Sequence, residues 1–216
     1  MYTKTGDGGT TSLFNQQRRS KADDYFEALG DTDELNANIG VVRAHCQSAG
    51  SGGSDAVASQ LDEQLAEVQS RLFDVGAHLA TPRQSSNAAA LARTAFDEDH
   101  VAQLEAWIDA MEAHLPPLRN FILPSGGFVA TQLHVCRAVC RRAERKTVPL
   151  VAREDADPVV GRYLNRLSDF FFVAARYAAL SSDRPETIWK KPRVRAKAAE
   201  AGATKDAEST SSSPEQ

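Results

Sequence analysis

The chain has 216 residues, 42% of them hydrophobic and 25% charged, with a formal net charge of -4, the profile of an ordinary soluble globular protein. That balance excludes a general nucleic-acid binder, whose footprint is broadly basic, and no apolar run is long enough to span a bilayer. The three cysteines, Cys46, Cys136 and Cys140, form no C-x-x-C and suggest neither a disulfide framework nor a thiolate zinc site; with an N-terminus that lacks a signal-peptide apolar stretch, they predict a cytoplasmic protein.

Residues 1–22 begin with Thr3, Lys4, Thr5, Gly6, Asp7, Gly8, Gly9, Thr10, Thr11 and Ser12, small and hydroxyl-bearing residues that make a poor helix. Glycines let the backbone approach a ligand and aim N–H groups at it, as anion-cradling loops do. The run matches neither G-x-x-x-x-G-K-[ST] nor G-x-G-x-x-G, and a frayed terminus is the competing reading.

Residues 23–190 carry helical periodicity. A first helix is expected from Asp23 to about Cys46, with Phe26, Leu29, Leu35, Ile39 and Val42 at core spacing. Its Asp31, Asp33, Glu34 and Asn36 crowd polar groups that should face partners or cap a neighbour. A Ser/Gly-rich loop follows over 47–55. The second helix runs from about Ala56 to Leu79, with Val57, Leu61, Leu65, Val68, Leu72, Phe73 and Val75 as its core positions. Residues 81–95 read as a long connection, and Asp97 to Asp99 supply an N-cap for a third helix that stops at Pro116. His100 and His114 near its ends lack the E-x-x-H company of metal ligands, which also removes a di-iron bundle from consideration.

An extended apolar stretch with Phe121, Ile122 and Leu123 then turns through Ser125, Gly126 and Gly127 into a fourth helix. Phe121 is either core or the face of a pocket. The fourth helix is the unusual one: His134, Arg137, Arg141, Glu144 and Arg145 recur three and four apart on a segment that is otherwise apolar. Either the guanidinium groups hold a polyphosphate, which suits their planar forks, or the face is solvated, with Glu144 paired locally to Arg141 or Arg145. This helix is expected to end near Pro149. The fifth, from about Pro158 to Ser181, sets Asn165 and Asp169 one turn apart in a strongly apolar sequence, either as a structural pair with the arginine helix or as ligand-positioning groups. Residues 191–216 shift to Lys, Ala, Glu, Ser and Thr and read as a disordered tail.

Five segments in this order resemble the PduO-type ATP:cob(I)alamin adenosyltransferase family: Thr3 to Asp7 with Lys21, Gly30 to Asn36, Phe121 to Gly127, His134 to Arg145, and Tyr163 to Asp169. The resemblance implies an all-α five-helix bundle assembling as a homotrimer with sites between subunits. It implies transfer of the 5′-deoxyadenosyl group of ATP to the cobalt of cob(I)alamin with release of triphosphate, Mg2+ assisting ATP. By likeness, Thr3 to Ser12 and Lys21 wrap the triphosphate, and Arg141, Arg142, Ala143, Glu144, Arg145 and Asn165 complete the nucleotide site. Asp33 pairs with Arg137 of the adjacent subunit beside the corrin, and Phe121 presses on the lower corrin face. Gly8 stands where many members carry a lysine. The family also implies dealings with a cobalamin reductase and with an adenosylcobalamin-dependent enzyme. A nucleotide-binding delivery or regulatory protein on the same bundle is the alternative.

Overall fold

The periodic segments form five long helices. The computed structural model describes residues 4–50 and 56–191; Thr3, the centre of the Ser/Gly-rich loop and the expected tail lie outside them. In chain order come β1 (Thr10–Ser12), β2 (Arg18–Ser20), α1 (Asp24–Gly50), α2 (Ala56–Leu79), the short α3 (Ala88–Arg93), α4 (Asp99–Glu112), β3 (Ile122–Leu123), α5 (Phe128–Ala152), α6 (Pro158–Ser181) and β4 (Thr187–Ile188). The helices α1, α2, α5 and α6 pack together, α1 against both α2 and α5, and α4 lies along α6. Both sheets are two-stranded and antiparallel: β1 with β2, and β3 with β4 across a long sequence separation.

The core follows the helical stripes. Leu35, Ile39 and Val42 of α1, Leu61, Leu65, Val68, Leu72 and Val75 of α2, and Leu164, Leu167, Phe170 and Phe171 of α6 are buried together. Phe73 is the exception to the expected core of α2, standing 72% exposed. The stripe through Val68, Leu72 and Val75 leaves position 73 about 100° away from it. Three further expectations are corrected. The first helix continues to Gly50 rather than ending at Cys46. The connection after α2 contains α3, started by Asn87, whose side chain accepts the Ala90 N–H at 2.8 Å. The arginine helix passes through Pro149 to Ala152, which its last turn allows because Pro149 is solvent-facing and forfeits one backbone bond only.

All three cysteines are buried. Burial pushes the Cys136 thiol up to about 12 and the Cys140 thiol upward as well, and Cys140 Sγ donates to the Leu164 carbonyl at 3.2 Å. These are packing residues, since a reactive cysteine needs an accessible thiolate.

His78 ties α2 to the start of α6. Its Nδ1 lies 2.8 Å from the Thr94 carbonyl, which can only accept, so Nδ1 carries the proton and Nε2 accepts the Asp157 backbone N–H at 2.9 Å. Burial lowers its pKa, outweighing the Thr94 carbonyl and the Asp157 charge, which raise it. With the folded value depressed, the unfolded chain binds more protons as pH falls through the ordinary histidine range near 6.5. His78 therefore stabilises the fold fully above that range and loses the contribution below it. Urea unfolding at pH 5.5 and 7.5 is expected to show lower stability at 5.5. In His78→Ala the difference should shrink, with a loss of about 2 kcal/mol at pH 7.5 from the two orphaned backbone groups. An unchanged pH difference in the variant would refute the assignment.

Candidate nucleotide and corrinoid site

The site residues begin at the N-terminal hairpin. Thr10, Thr11 and Ser12 pair with Ser20, Arg19 and Arg18, giving strand structure to a stretch that sequence alone marks only as non-helical. Gly9 sits at a φ of 74° and its carbonyl accepts the Lys21 N–H at 2.9 Å. Arg18 donates to the Thr5 carbonyl at 2.9 Å and to the Thr10 hydroxyl at 2.6 Å, and the Lys21 side chain reaches over Gly6. Gly6, Gly9, Thr10 and Lys21 are thus gathered into one loop instead of fraying. The hairpin is anchored at the far end of α2, where the Phe14 N–H donates to the Ala80 carbonyl at 2.9 Å.

On α5 the basic residues divide into two sets by face. Arg142 bridges Asp31 at 3.1 Å and also pairs with Glu34; Lys146 pairs with Glu27, and Arg153 holds Asp24 at 2.7 Å. Arg142 and Lys146 of α5, with Arg153 at its C-cap, recur at helical spacing along one side and meet an acidic stripe on α1, which accounts for the polar crowding around Asp31. Arg142 is therefore committed within the chain, and Ala143 is wholly buried. Arg137, Arg141 and Arg145 make no ion pair among the described residues. Arg137 lies over the Phe172 ring, 5.5 Å from its centroid, with His134 edge-on to the same ring. Burial first, and then the Arg137 charge, lower the His134 pKa.

Glu144 does not pair with its neighbouring arginines. Its carboxylate accepts from Asn165 Nδ2 at 2.9 Å, so Asn165 finds its partner on the arginine helix, but that partner is the acid. Both line a groove of about 570 Å³ between α4, α5 and α6, walled also by Val148, Gly161 and Arg166. Asp169 is exposed, its carboxylate 4.0 Å from Arg166.

Phe121 is 80% exposed, so it is no core residue. Its carbonyl accepts the Trp189 N–H at 2.8 Å, and the two rings meet edge to face with centroids 6.3 Å apart. The turn that follows needs glycine: Gly126 and Gly127 have φ of 97° and 92°, and a Cβ on Gly126 would stand 2.4 Å from that of Ala179. Asp33 on α1 is likewise exposed and lines a shallow hollow with Thr32, Asn36 and the exposed Phe73. The described anchors of Asp33, the hairpin, the α5 stripe and Phe121 thus lie on different parts of one chain. Trp189 and Arg18 are the neighbours that sequence reading missed; only spatial pairing reveals them.

No helix of the structure is long and apolar enough to cross a membrane among the described residues. A family model for cobalamin adenosyltransferase matches residues 1–178. The corrinoid adenosyltransferase MMAB of Mus musculus is 49% identical over 191 residues, spanning 88% of this chain and 77% of that protein. The cobalamin adenosyltransferase of Cupriavidus metallidurans is 37% identical over 193 residues, spanning 89% and 95%. Among solved structures, a variant PduO-type ATP:corrinoid adenosyltransferase from Lactobacillus reuteri complexed with cobalamin and ATP is similar with a TM-score of 0.77 and 35% identity, over 88% of this chain and 99% of that one. With a family model matched over residues 1–178 and a relative 49% identical across 88% of its length, the chain belongs to the cobalamin adenosyltransferase family.

Proposed function

We propose that this chain transfers the 5′-deoxyadenosyl group of ATP to the cobalt of a reduced corrinoid, cob(I)alamin, and releases triphosphate. The observation that carries the reading is the division of α5: Arg142, Lys146 and Arg153 are spent on α1, while Arg137, Arg141 and Arg145 keep their charge unpaired among the described residues. Guanidinium groups left open on a rigid helix suit phosphate oxygens. In the reaction, the electron pair of cobalt forms the Co–C bond to C5′ as the C5′–O bond breaks and its pair leaves with the triphosphate. The nucleophile belongs to the substrate, so the protein needs no catalytic serine or cysteine. Its work is to align the two reactants and to stabilise the charge growing on the leaving group.

Lys4 to Ser12 with Lys21 take the triphosphate, and Arg141 and Arg145, together with Asn165 and Glu144 of the groove, take the nucleotide. As the resemblance to the family implies, one copy supplies the hairpin and a neighbour the stripe, in a homotrimer. Asp33 of one subunit meets Arg137 of the next, each being without an ion pair within its own chain among the described residues. Mg2+ travels with the triphosphate, as this hard ion commonly does with one or two carboxylates. Glu98, Glu105 and Glu144 are carboxylates that line the groove, and the ion would add further charge neutralisation for the leaving group.

Incubation with ATP, Mg2+ and chemically reduced cobalamin should yield the adenosylcobalamin absorption spectrum and triphosphate in equal amounts. Tight ATP binding without turnover would overturn the enzyme reading in favour of a delivery or regulatory protein.

A further inference from the structure

The loop carrying Phe121 is shaped by a segment that follows the last long helix and lies beyond the 1–178 span matched by the family model. After α6 the chain turns at Asp183, whose φ is +50°, and the Arg184 N–H returns to the Ala179 carbonyl at 3.0 Å. The next residues run back as β4 along β3, in register Ile122 with Ile188 and Leu123 with Thr187.

The attachment is built, not incidental. Arg176 is 94% buried (6% exposed), an expensive place for a charge. Its Nε donates to the Glu186 carboxylate at 2.8 Å and its Nη2 to the Pro116 carbonyl at 2.9 Å, so one guanidinium clamps both the returning segment and the entry to the Phe121 loop. Ser125 adds a second tie, its hydroxyl accepting the Thr187 N–H at 2.8 Å while donating to the Leu123 carbonyl at 2.9 Å. At the outer end Trp189 meets the Phe121 ring at 87°, the edge-to-face arrangement that aromatic pairs favour. An 80%-exposed phenylalanine has little else to fix its rotamer.

We propose that residues 183–191 form a positioning strap for Phe121: Arg176 anchors it through Glu186, and Trp189 sets the tilt of the Phe121 ring on the surface that receives the corrin. The proposal rests on the reading of Phe121 given above. Trp189 is a positioning residue; it acts through Phe121 and does not touch the reacting atoms.

The test uses the full chain with Trp189→Ala, Glu186→Gln, Trp189→Phe, Phe121→Ala and the Phe121→Ala/Trp189→Ala double variant. Trp189→Ala and Glu186→Gln should each lower kcat for adenosylation about tenfold while KM for ATP stays within about twofold. Trp189→Phe, which keeps an aromatic edge, should recover most of the rate. The double variant should be no slower than Phe121→Ala alone, because a residue that works only through Phe121 has nothing left to do. Paramagnetic resonance of cob(II)alamin bound with ATP supplies a readout that global stability does not move: nitrogen splitting from the lower axial base should return in Trp189→Ala. Unchanged kcat in Trp189→Ala beside an impaired Phe121→Ala would overturn the strap alone, as would a double variant slower by the product of the single effects. A silent Phe121→Ala would overturn the reading of Phe121, and the strap with it.

Discussion

Arg141→Ala is expected to reduce kcat/KM for ATP by about a hundred- to a thousandfold, equivalent to about 2.7–4 kcal/mol of transition-state stabilisation. Arg141 is exposed and forms no ion pair among the described residues, so its removal orphans no partner and should leave the melting temperature nearly unchanged. The neighbouring Arg142→Ala supplies the contrast. Arg142 faces α1, where it meets Asp31, whose side chain is mostly buried, and the more exposed Glu34. Its truncation leaves the Asp31 carboxylate without its cation and should lower the melting temperature while changing kcat/KM little. Arg141→Lys keeps the charge but loses the planar fork and should recover part of the rate. Near-normal kcat/KM in Arg141→Ala would place the triphosphate elsewhere.

Phe121→Ala should leave ATP affinity intact and slow transfer to the corrinoid by about a hundredfold, or about 2.7 kcal/mol. In the proposed reaction the ring would exclude water and a lower axial ligand from cobalt, a contribution made to the corrin and not to the nucleotide. The measurement is the separation of effects: kcat at saturating ATP should fall while the ATP dissociation constant holds. An equal loss of ATP binding would mean that the side chain supports the fold of its loop and has no part in the transfer.

Much of the architecture could be read from periodicity. Leu61, Leu65, Val68 and Leu72 announce α2, whose bounds, like those of α6, fall where the pattern places them. What escaped reading is what depends on partners distant in sequence. The two-residue strands β3 and β4 have no period to detect, and they exist because Ile122 and Ile188 are brought together by the chain's return after α6. Phe73 looked like core because periodicity marks a stripe without fixing its edges. The α5 arginines were legible as a stripe, but which of them are engaged was not: a spacing of one residue separates Arg141 from Arg142, and only the position of α1 assigns one to solvent and the other to Asp31. Glu144 similarly could have turned to either arginine; the proximity of α6 gave it Asn165 instead.

The row of contacts from Arg142, Lys146 and Arg153 to the acids of α1 bears on more than cohesion. A rod fastened along one flank at successive turns resists both rolling and sliding against its neighbour, so the opposite flank keeps its orientation in the empty protein. The electrostatic environment for a departing anion is then preorganised, and little reorganisation is required when substrate arrives. Because the fastening is shared among successive turns, the loss of one contact is tolerated, and only removal of several together should let that flank drift and blunt turnover.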